Sequence, residues 1–249
     1  MYIALFSLVI NLGYSQINEV EDRYLWISRD SMINKNSIDS ALHFASQSGF
    51  NKVFLQVRGR GDAFYNSEIV NKNSNIPDDF DPLKYALELG KTLNLEIHVW
   101  INCYILWSSE MPPLDKKHLL YENPLWTEYD VYGKLDARIN LNSPKSPLWE
   151  GIYLSPMDDE VNQYLYEVIT EIYKQYDING IHLDYIRFQD EYFGFHPKGR
   201  SEFDEIFNVD PLDIARGIIS TRYGWEQSYV DSIYLEWNEF KQNSITNLL

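Results

Sequence analysis

Segments typical of β-strands alternate with segments typical of α-helices along most of this chain. The strand-like segments are short apolar runs rich in valine, isoleucine and aromatic residues, at residues 24–28, 52–58, 95–102 and 179–184. The segments between them repeat apolar residues every three or four positions, as one buried helix face requires. Such alternation predicts a parallel sheet covered by helices, in either a closed (β/α) barrel or an open doubly wound sheet.

Capping residues indicate where the helices begin. Ser37 is typical of an N-cap and Gly49 of a helix end, which predicts a first helix between them. The pair Asp81-Pro82 predicts the start of a second helix. The pair Ser155-Pro156 predicts a third, which runs through residue 176.

Two features favour the barrel over the open sheet. No G-x-G-x-x-G motif follows a strand, although nucleotide-binding open folds usually carry one. Side chains also alternate along each strand, so that one face is apolar and the other becomes polar toward the carboxyl end. In a closed barrel these second faces converge at the C-terminal rim, where such barrels hold their active sites. The second-face residues are Trp26, Ser28, Gln56, Arg58, His98, Trp100, Asn102, His182 and Asp184.

The length of the chain limits how much of a barrel it contains. Four strands are complete by Arg187, and 62 of the 249 residues follow it. Four more strand–helix units of roughly 30 residues would need about 120. Residues 201–207 and 234–249 have helical character instead. The sequence therefore predicts an incomplete (β/α)8 TIM-barrel domain over residues 22–249, with the first four strand–helix units present and the C-terminal part missing.

Composition argues against several classes of function. With 37 acidic and 21 basic residues the net charge is −16, whereas nucleic-acid and anionic-membrane binding need clustered lysine and arginine. The single cysteine, Cys103, excludes an internal disulfide and multi-cysteine metal sites. There is no G-x-S-x-G motif, and the five histidines lack H-x-x-x-H or H-x-H spacing. We therefore expect no metal, no cofactor and no nucleic-acid partner.

The N-terminus has the pattern of a secretory signal. Residues 3–10 form an apolar run too short to span a bilayer, followed by small and polar residues through Gln16. We expect residues 1–16 to be a signal peptide and the protein to be exported to the periplasm or the extracellular space. The alternative is a buried first strand. No other run reaches about 18 apolar residues, so no membrane span is expected.

Asp184 is the strongest candidate for chemistry. It ends the fourth predicted strand on the same face as His182, and the next basic residue is Arg187. A partly desolvated carboxylate held by nearby donors can act as a nucleophile or as an acid/base group. The alternative is that Asp184 only caps the strand end and pairs with Arg187.

A second group of candidates follows the second strand. Gly59 and Gly61 allow a tight turn that keeps Arg58 and Asp62 near the rim. A rigid loop closed by an Arg58–Asp62 ion pair is the alternative reading.

The third strand presents a further group. His98, Trp100 and Asn102 alternate along it, which predicts an imidazole, an indole and an amide directed toward one pocket. His98 is equally consistent with a hydrogen-bonded histidine of the core.

Ordered motifs in these segments resemble a known family. Residues 50–69, F-N-K-V-F-L-Q-V-R-G-R-G-D-A-F-Y-N-S-E-I, are similar to the Q-V-R-x-x-G-D-A-x-Y-x-S-E block of the glycosyl-hydrolase-like family 10 proteins. Residues 79–83 and 96–102 resemble the D-P-L and H-a-W-i-N segments of that family, and residues 176–188 its Y-D-v-D-G-I-h-x-D-Y-i-R signature. The resemblance extends from about residue 24 to residue 249.

The resemblance implies a TIM-type barrel that hydrolyses glycosidic bonds, in enzymes acting on cell-wall glycans or other polysaccharides. It implies Asp184 as the nucleophile or acid/base group. The second carboxylate of a glycosidase would lie on a later strand, with Glu68, Asp190 and Glu191 as local alternatives. The residues expected to contact the carbohydrate or to tune Asp184 are Arg58, Asp62, His98, Trp100, Asn102, His182, Tyr185 and Arg187.

Three other hypotheses remain open from the sequence. The first is a barrel that binds carbohydrate without cleaving it. The second is an amidase or a metal-dependent deacylase on the same scaffold. The third is that a chain with four strand–helix units folds poorly by itself, because such a sheet has two unpaired edges.

Overall fold

The computed structural model describes residues 22–139, 141 and 149–248. The predicted signal peptide, residues 1–16, lies outside the described residues. The strands are β1 (Tyr24–Ile27), β2 (Lys52–Arg58), β3 (Glu96–Asn102), β4 (Ile105–Trp107), β5 (Ile152–Tyr153) and β6 (Gly180–Asp184).

Four of these strands form one parallel sheet in the order β1-β2-β3-β6. All four were predicted from sequence, with boundaries that differ by at most one residue. β4 and β5 form a separate antiparallel pair that the sequence did not indicate. In the described part of the chain, β1 and β6 are the two edges of the parallel sheet, so the sheet is open.

The helices lie between and after the strands. No helix of the described residues has both the length and the apolar composition needed to cross a membrane. The helices are α1 (Lys35–Gln47), α2 (Pro82–Thr92), α3 (Leu119–Glu122), α4 (Asp159–Gln175), α5 (Pro197–Phe207), α6 (Pro211–Ala215), α7 (Ile219–Tyr223) and α8 (Gln227–Thr246).

Two predicted helix starts need correction. The N-cap of α1 is Asn34, and Ser37 is the N3 residue of a capping box in which each side chain accepts from the other residue's backbone N–H. Helix α4 begins after Asp158, whose carboxylate accepts from the Glu160 N–H at 3.0 Å, and not at Ser155. The Asp81 cap of α2 is confirmed, since its carboxylate accepts from the Lys84 N–H at 3.0 Å.

The main core lies between the parallel sheet and the helices. The apolar faces of β2 and β3 are buried, with Val53, Leu55 and Val99 at most 1% exposed. Leu42 of α1 and Leu165 of α4 are 0% exposed in the same cluster. Burial of each such side chain contributes roughly 1.5–3 kcal/mol to folding stability. This burial holds the helices on one face of the sheet.

The C-terminal helices have a core of their own. Phe203 of α5 and Trp237 of α8 are at most 1% exposed, with ring centroids 5.0 Å apart. Asn162 of α4 donates to the Ser244 carbonyl of α8 at 3.2 Å, which joins this layer to the main core.

A bulge in β2 changes the face on which Arg58 lies. Gln56 pairs with Trp100, but Arg58 pairs with Ile101, so Val57 is an extra residue in the ladder. Because side chains alternate between faces, one inserted residue moves Arg58 to the helix side. The prediction that Arg58 lies beside Gln56 on the polar face is therefore wrong.

Candidate functional site

The second face of the sheet carries the candidate residues in rows across the strands. Trp26, Phe54 and His98 occupy one row, and Gln56, Trp100 and His182 occupy the next toward the carboxyl end. Asn102 and Asp184 form the last row. Parallel strands bring their carboxyl ends to the same edge, so this edge is the candidate site.

Both carboxylate oxygens of Asp184 are held in place. The Trp100 indole Nε1–H donates to Oδ2 at 3.0 Å, and the Tyr185 backbone N–H donates to Oδ1 at 2.7 Å. Tyr185 has a φ of +52°, a left-handed conformation that costs a non-glycine residue on the order of 1 kcal/mol. The chain takes this left-handed turn directly after Asp184, whose half-buried carboxylate is oriented by the two N–H donors.

His182 lies one row below Asp184 on the same face. Its ring is 4.6 Å from the Phe54 ring and 6.3 Å from the Trp100 ring, centroid to centroid. Both His182 and Trp100 are half-buried, so the rings beside Asp184 remain partly open to a ligand. The structure therefore brings His182, Trp100 and Asp184 together on one face of the sheet, as the sequence predicted.

His98 lies deeper in the sheet than expected. It shares a row with Gly180, and a Cβ on Gly180 would be 2.3 Å from the imidazole Nδ1, so glycine makes room for the ring. The imidazole is 5.5 Å from the Phe54 ring and 3.6 Å from the Glu96 carboxylate. His98 lies two residues before Trp100 on β3. None of its contacts within the described residues is with Asp184.

Arg58 and Asn102 support the turn after β2. The Arg58 guanidinium is 0% exposed and donates to the carbonyls of Asn102 and Cys103. Asn102 is 5% exposed and donates to the Gly59 carbonyl at 3.0 Å, while it accepts from Gln56 at 3.2 Å. The structure therefore places these two predicted sugar-binding residues beneath the edge, where they brace it.

Asp62 lies in a neighbouring cleft. Its carboxylate accepts from the Arg60 backbone N–H at 3.0 Å and from the Asn73 amide, so it closes its own loop, while the described hydrogen bonds of the Arg58 guanidinium go to carbonyls and not to Asp62. The cleft has a volume of about 260 Å³ and is also lined by Trp107 and His118. Asp62 is thus separate from the group of side chains around Asp184.

Glu150 is a residue of this edge that the sequence did not single out. Its carboxylate forms an ion pair with Arg187 at 2.5 Å and accepts from the Tyr153 hydroxyl at 2.7 Å. Partial burial opposes its ionisation, but the hydrogen bonds from Tyr153 and Arg187 outweigh burial and lower the pKa of Glu150. No local motif marks Glu150, since its partner lies 37 residues away.

Tyr185 lies between the two carboxylates. Burial, followed by the charges of Glu150 and Asp184, raises the pKa of the Tyr185 hydroxyl, so it is neutral at physiological pH. Of the other acidic residues considered from sequence, Asp190 is close enough to Glu150 and Arg187 for their charges to act on its pKa, although burial is the larger cause of its raised pKa. The Glu68 backbone N–H bonds the Glu171 carboxylate of α4, and Asp190 accepts from the Tyr192 N–H.

Within the described residues, no three histidine, cysteine, aspartate or glutamate side chains have a spacing that could hold a metal ion. The arrangement at this edge is instead one of oriented carboxylates beside aromatic rings. Such a set can transfer protons, attack a carbon centre and pack against a sugar ring.

Four parallel strands with an oriented carboxylate at their carboxyl edge are the arrangement that part of a TIM barrel has. The chain belongs to the Glycosyl hydrolase-like 10 family, whose model matches residues 18–249. This match confirms the family predicted from the motifs.

One curated relative is named as a glycosyl hydrolase. The chain is 26% identical over 144 residues to glycosyl hydrolase YngK of Bacillus subtilis, over 55% of this chain and 25% of that protein. It is 22% identical over 204 residues to an S-layer-related protein of Niallia circulans, over 74% of this chain and 12% of that protein. The chain thus spans a quarter or less of the length of these relatives.

Solved structures confirm the fold class. An α-L-fucosidase, isoenzyme 2 of Paenibacillus thiaminolyticus, has a TM-score of 0.56 and 14% identity, covering 90% of this chain and 30% of that one. A hypothetical protein of Ruminiclostridium thermocellum has a TM-score of 0.51 and 17% identity, covering 74% of this chain and 87% of that one. At these identities the likeness concerns the fold alone, which is α/β of the TIM-barrel type with four parallel strands described.

Proposed function

We propose that this chain is a glycoside hydrolase domain that cleaves glycosidic bonds of a polysaccharide or a cell-wall glycan. Asp184 is the nucleophile or the acid/base group of the reaction. The observation that carries the proposal is the setting of Asp184, whose two oxygens accept from the Trp100 indole and the Tyr185 N–H at the carboxyl edge of the sheet. Family membership supports a glycosidase-type chemistry.

The geometry indicates what each neighbour of Asp184 does. The two N–H donors hold the carboxylate in one orientation, so that little reorganisation is needed when a sugar ring binds beside it. The partly exposed rings of Trp100 and His182 offer an apolar surface against which a sugar ring can pack. Tyr185 and Arg187 follow directly and border the site on the side of Glu150.

Export of the protein is part of the proposal. The apolar run at residues 3–10 has the pattern of a signal peptide, and the relative from Niallia circulans is named as S-layer-related. A net charge of −16 is unfavourable for nucleic acid, and family membership supports carbohydrate as the proposed partner.

The test compares Asp184→Asn with a matched control. Asp177→Asn changes an exposed aspartate seven residues earlier, at the other end of β6, where it pairs with Lys91. Reducing ends released from purified peptidoglycan and from a panel of polysaccharides are measured, and circular dichroism checks folding. We expect Asp184→Asn to lose at least about a hundredfold in kcat while Asp177→Asn keeps the wild-type rate.

Other outcomes would favour the alternatives. Wild-type activity in folded Asp184→Asn would overturn the role of Asp184. Glycan binding by the wild type without any turnover would favour a carbohydrate-binding barrel. Loss of activity on chelation, with recovery on adding a divalent metal, would favour the metal-dependent deacylase.

A further inference from the structure

The ion pair between Glu150 and Arg187 offers hydrogen-bonding groups that the proposed reaction at Asp184 does not use. We infer that this pair is a sugar-binding subsite that binds two neighbouring hydroxyl groups of one sugar residue. The inference rests on the proposed function, because it concerns the same glycan at the next position along the edge. Nothing in the resemblance or in the family match assigns a role to Glu150.

The pair is rigid although it is partly exposed. Arg187 Nη2 is 2.5 Å from Glu150 Oε2, and the same oxygen accepts from the Tyr153 hydroxyl at 2.7 Å. The Arg187 guanidinium lies 5.7 Å from the Tyr153 ring centroid and 5.4 Å from that of Tyr185. Arg187 Nη1 also donates to the backbone carbonyls of Phe188 and Gln189. The two charged groups therefore keep one geometry before any ligand arrives.

The unused groups of the pair match a sugar diol. Glu150 Oε1 accepts no hydrogen bond from the described residues, and Arg187 Nε donates none to them. The Glu150 and Arg187 side chains are 46% and 45% exposed, so the pair is partly open to solvent. A carboxylate oxygen beside a guanidinium offers an acceptor next to a donor. Two adjacent sugar hydroxyls can bind this pair together, one donating to Glu150 Oε1 and the other accepting from Arg187 Nε.

The subsite is next to Asp184. Tyr185 links the two places, since its N–H bonds the Asp184 carboxylate and its ring lies 6.0 Å from the Tyr153 ring. Arg187 packs on that same Tyr185 ring. A glycan whose scissile bond lies at Asp184 passes over Tyr185 to reach Glu150 and Arg187.

The charge of Glu150 suits a hydroxyl acceptor. The hydrogen bonds from Tyr153 and Arg187 lower the pKa of Glu150 despite its partial burial, so the group is ionised at neutral pH. An ionised carboxylate only accepts hydrogen bonds, and it binds hydroxyl donors more strongly than a neutral amide does. Exposed ion pairs add little to folding stability, so stability alone gives a weak reason for this arrangement.

The experiment measures binding separately from turnover. The probes are cellohexaose, chitohexaose and glycan strands of purified peptidoglycan, with dissociation constants from titration calorimetry in an Asp184→Asn background. Glu150→Gln keeps the side-chain shape but removes the charge. The matched control is Glu88→Gln, an exposed glutamate of α2 on the helix side of the sheet.

We expect Glu150→Gln to weaken binding of the preferred probe by about tenfold or more, and Glu88→Gln to leave it unchanged. Arg187→Met should weaken the same probe to a similar degree. In the active protein Glu150→Gln should raise KM more than it lowers kcat, with the melting temperature unchanged. Affinity of the Asp184→Asn protein should also fall as Glu150 becomes protonated in acid, and that fall should be absent when Glu150→Gln is added to it.

Two results separate failure of this inference from failure of the proposed function. Equal dissociation constants for Asp184→Asn and for the double variant Asp184→Asn/Glu150→Gln, with Asp184→Asn inactive, would overturn the subsite and leave the proposed function standing. A wild-type chain that neither binds nor cleaves any probe would overturn the proposed function, and the subsite with it.

Discussion

The indole of Trp100 donates its Nε1–H to the carboxylate of Asp184 at 3.0 Å, across the neighbouring strands β3 and β6. Trp100 stands one row before Asn102, the register partner of Asp184, so the indole reaches diagonally to the strand end. Residues that are 84 positions apart in the chain therefore form one unit. Trp100 was expected to contact the carbohydrate or to tune Asp184, and its indole N–H makes it a positioning residue for Asp184.

Trp100→Phe tests this role. The substitution keeps an aromatic ring but removes the N–H, and a hydrogen bond to a charged group is worth about 1.5–3 kcal/mol. We expect kcat on the cleaved glycan to fall roughly tenfold to a hundredfold, with a smaller change in KM. Trp26→Phe is the control. Trp26 lies on the same face and is 53% exposed, and its ring contacts are with Phe54 and His182 instead of with Asp184. Equal losses in both variants would contradict the role of the Trp100 N–H.

Arg58→Ala should affect stability. The buried guanidinium serves the carbonyls of Asn102 and Cys103 and lies 5.8 Å from the Tyr164 ring. Its removal leaves a cavity and two carbonyls without this donor, and we expect the free energy of unfolding to fall by about 2–5 kcal/mol. Urea unfolding measures this, with Arg23→Ala, an exposed arginine, as control. A stable variant with a raised KM would instead support the role in sugar binding expected from the sequence.

Asp136 should make stability depend on pH. Burial raises its pKa to about 8, although its Oδ2 accepts from the Tyr153 N–H at 3.0 Å. Between about pH 4 and pH 8 the folded protein keeps this proton while the unfolded chain loses it. Stability therefore falls as pH rises, by up to about 1.4 kcal/mol per pH unit from this group.

Asp136→Asn should remove that part of the slope. Urea unfolding at pH 5, 6, 7 and 8 should show the variant gaining stability relative to wild type as pH increases. Asp177→Asn is the control, since hydrogen bonding and charge from Lys91 lower the pKa of that exposed group. A constant difference between Asp136→Asn and wild type across this range would show that Asp136 ionises normally.

Gly61→Ala should destabilise the loop beside the cleft. Gly61 has a φ of +72°, and an added Cβ would be 2.5 Å from Leu106 Cδ1. Gly217→Ala separates the two causes, because its φ is +67° but nothing lies within 4 Å of its Cβ. We expect about 1 kcal/mol from backbone strain in Gly217→Ala and a larger loss in Gly61→Ala, measured by urea unfolding. Equal losses would show that Leu106 moves aside freely.

Much of the fold was predictable from local pattern. The strands were found because β-branched and aromatic residues alternate along them, and α2 because Asp81-Pro82 is a strong start signal. The start of α4 was misplaced, because Ser155-Pro156 resembles a cap and the true cap, Asp158, is one of three successive acidic residues. The β4–β5 pair was missed because its strands are three and two residues long and 44 residues separate them.

By itself, the amino-acid sequence determined the order of the four parallel strands and of helices α1, α2 and α4 between them, the family, and Asp184 as a carboxylate at the end of a strand. These follow from short-range pattern and from motifs that are continuous in the chain. Only the tertiary structure decided that Arg58 lies on the helix side, that Trp100 orients Asp184, and that Glu150 pairs with Arg187. Those outcomes depend on sheet register and on contacts between distant segments, and a single inserted residue in β2 is enough to reverse the face on which a side chain lies.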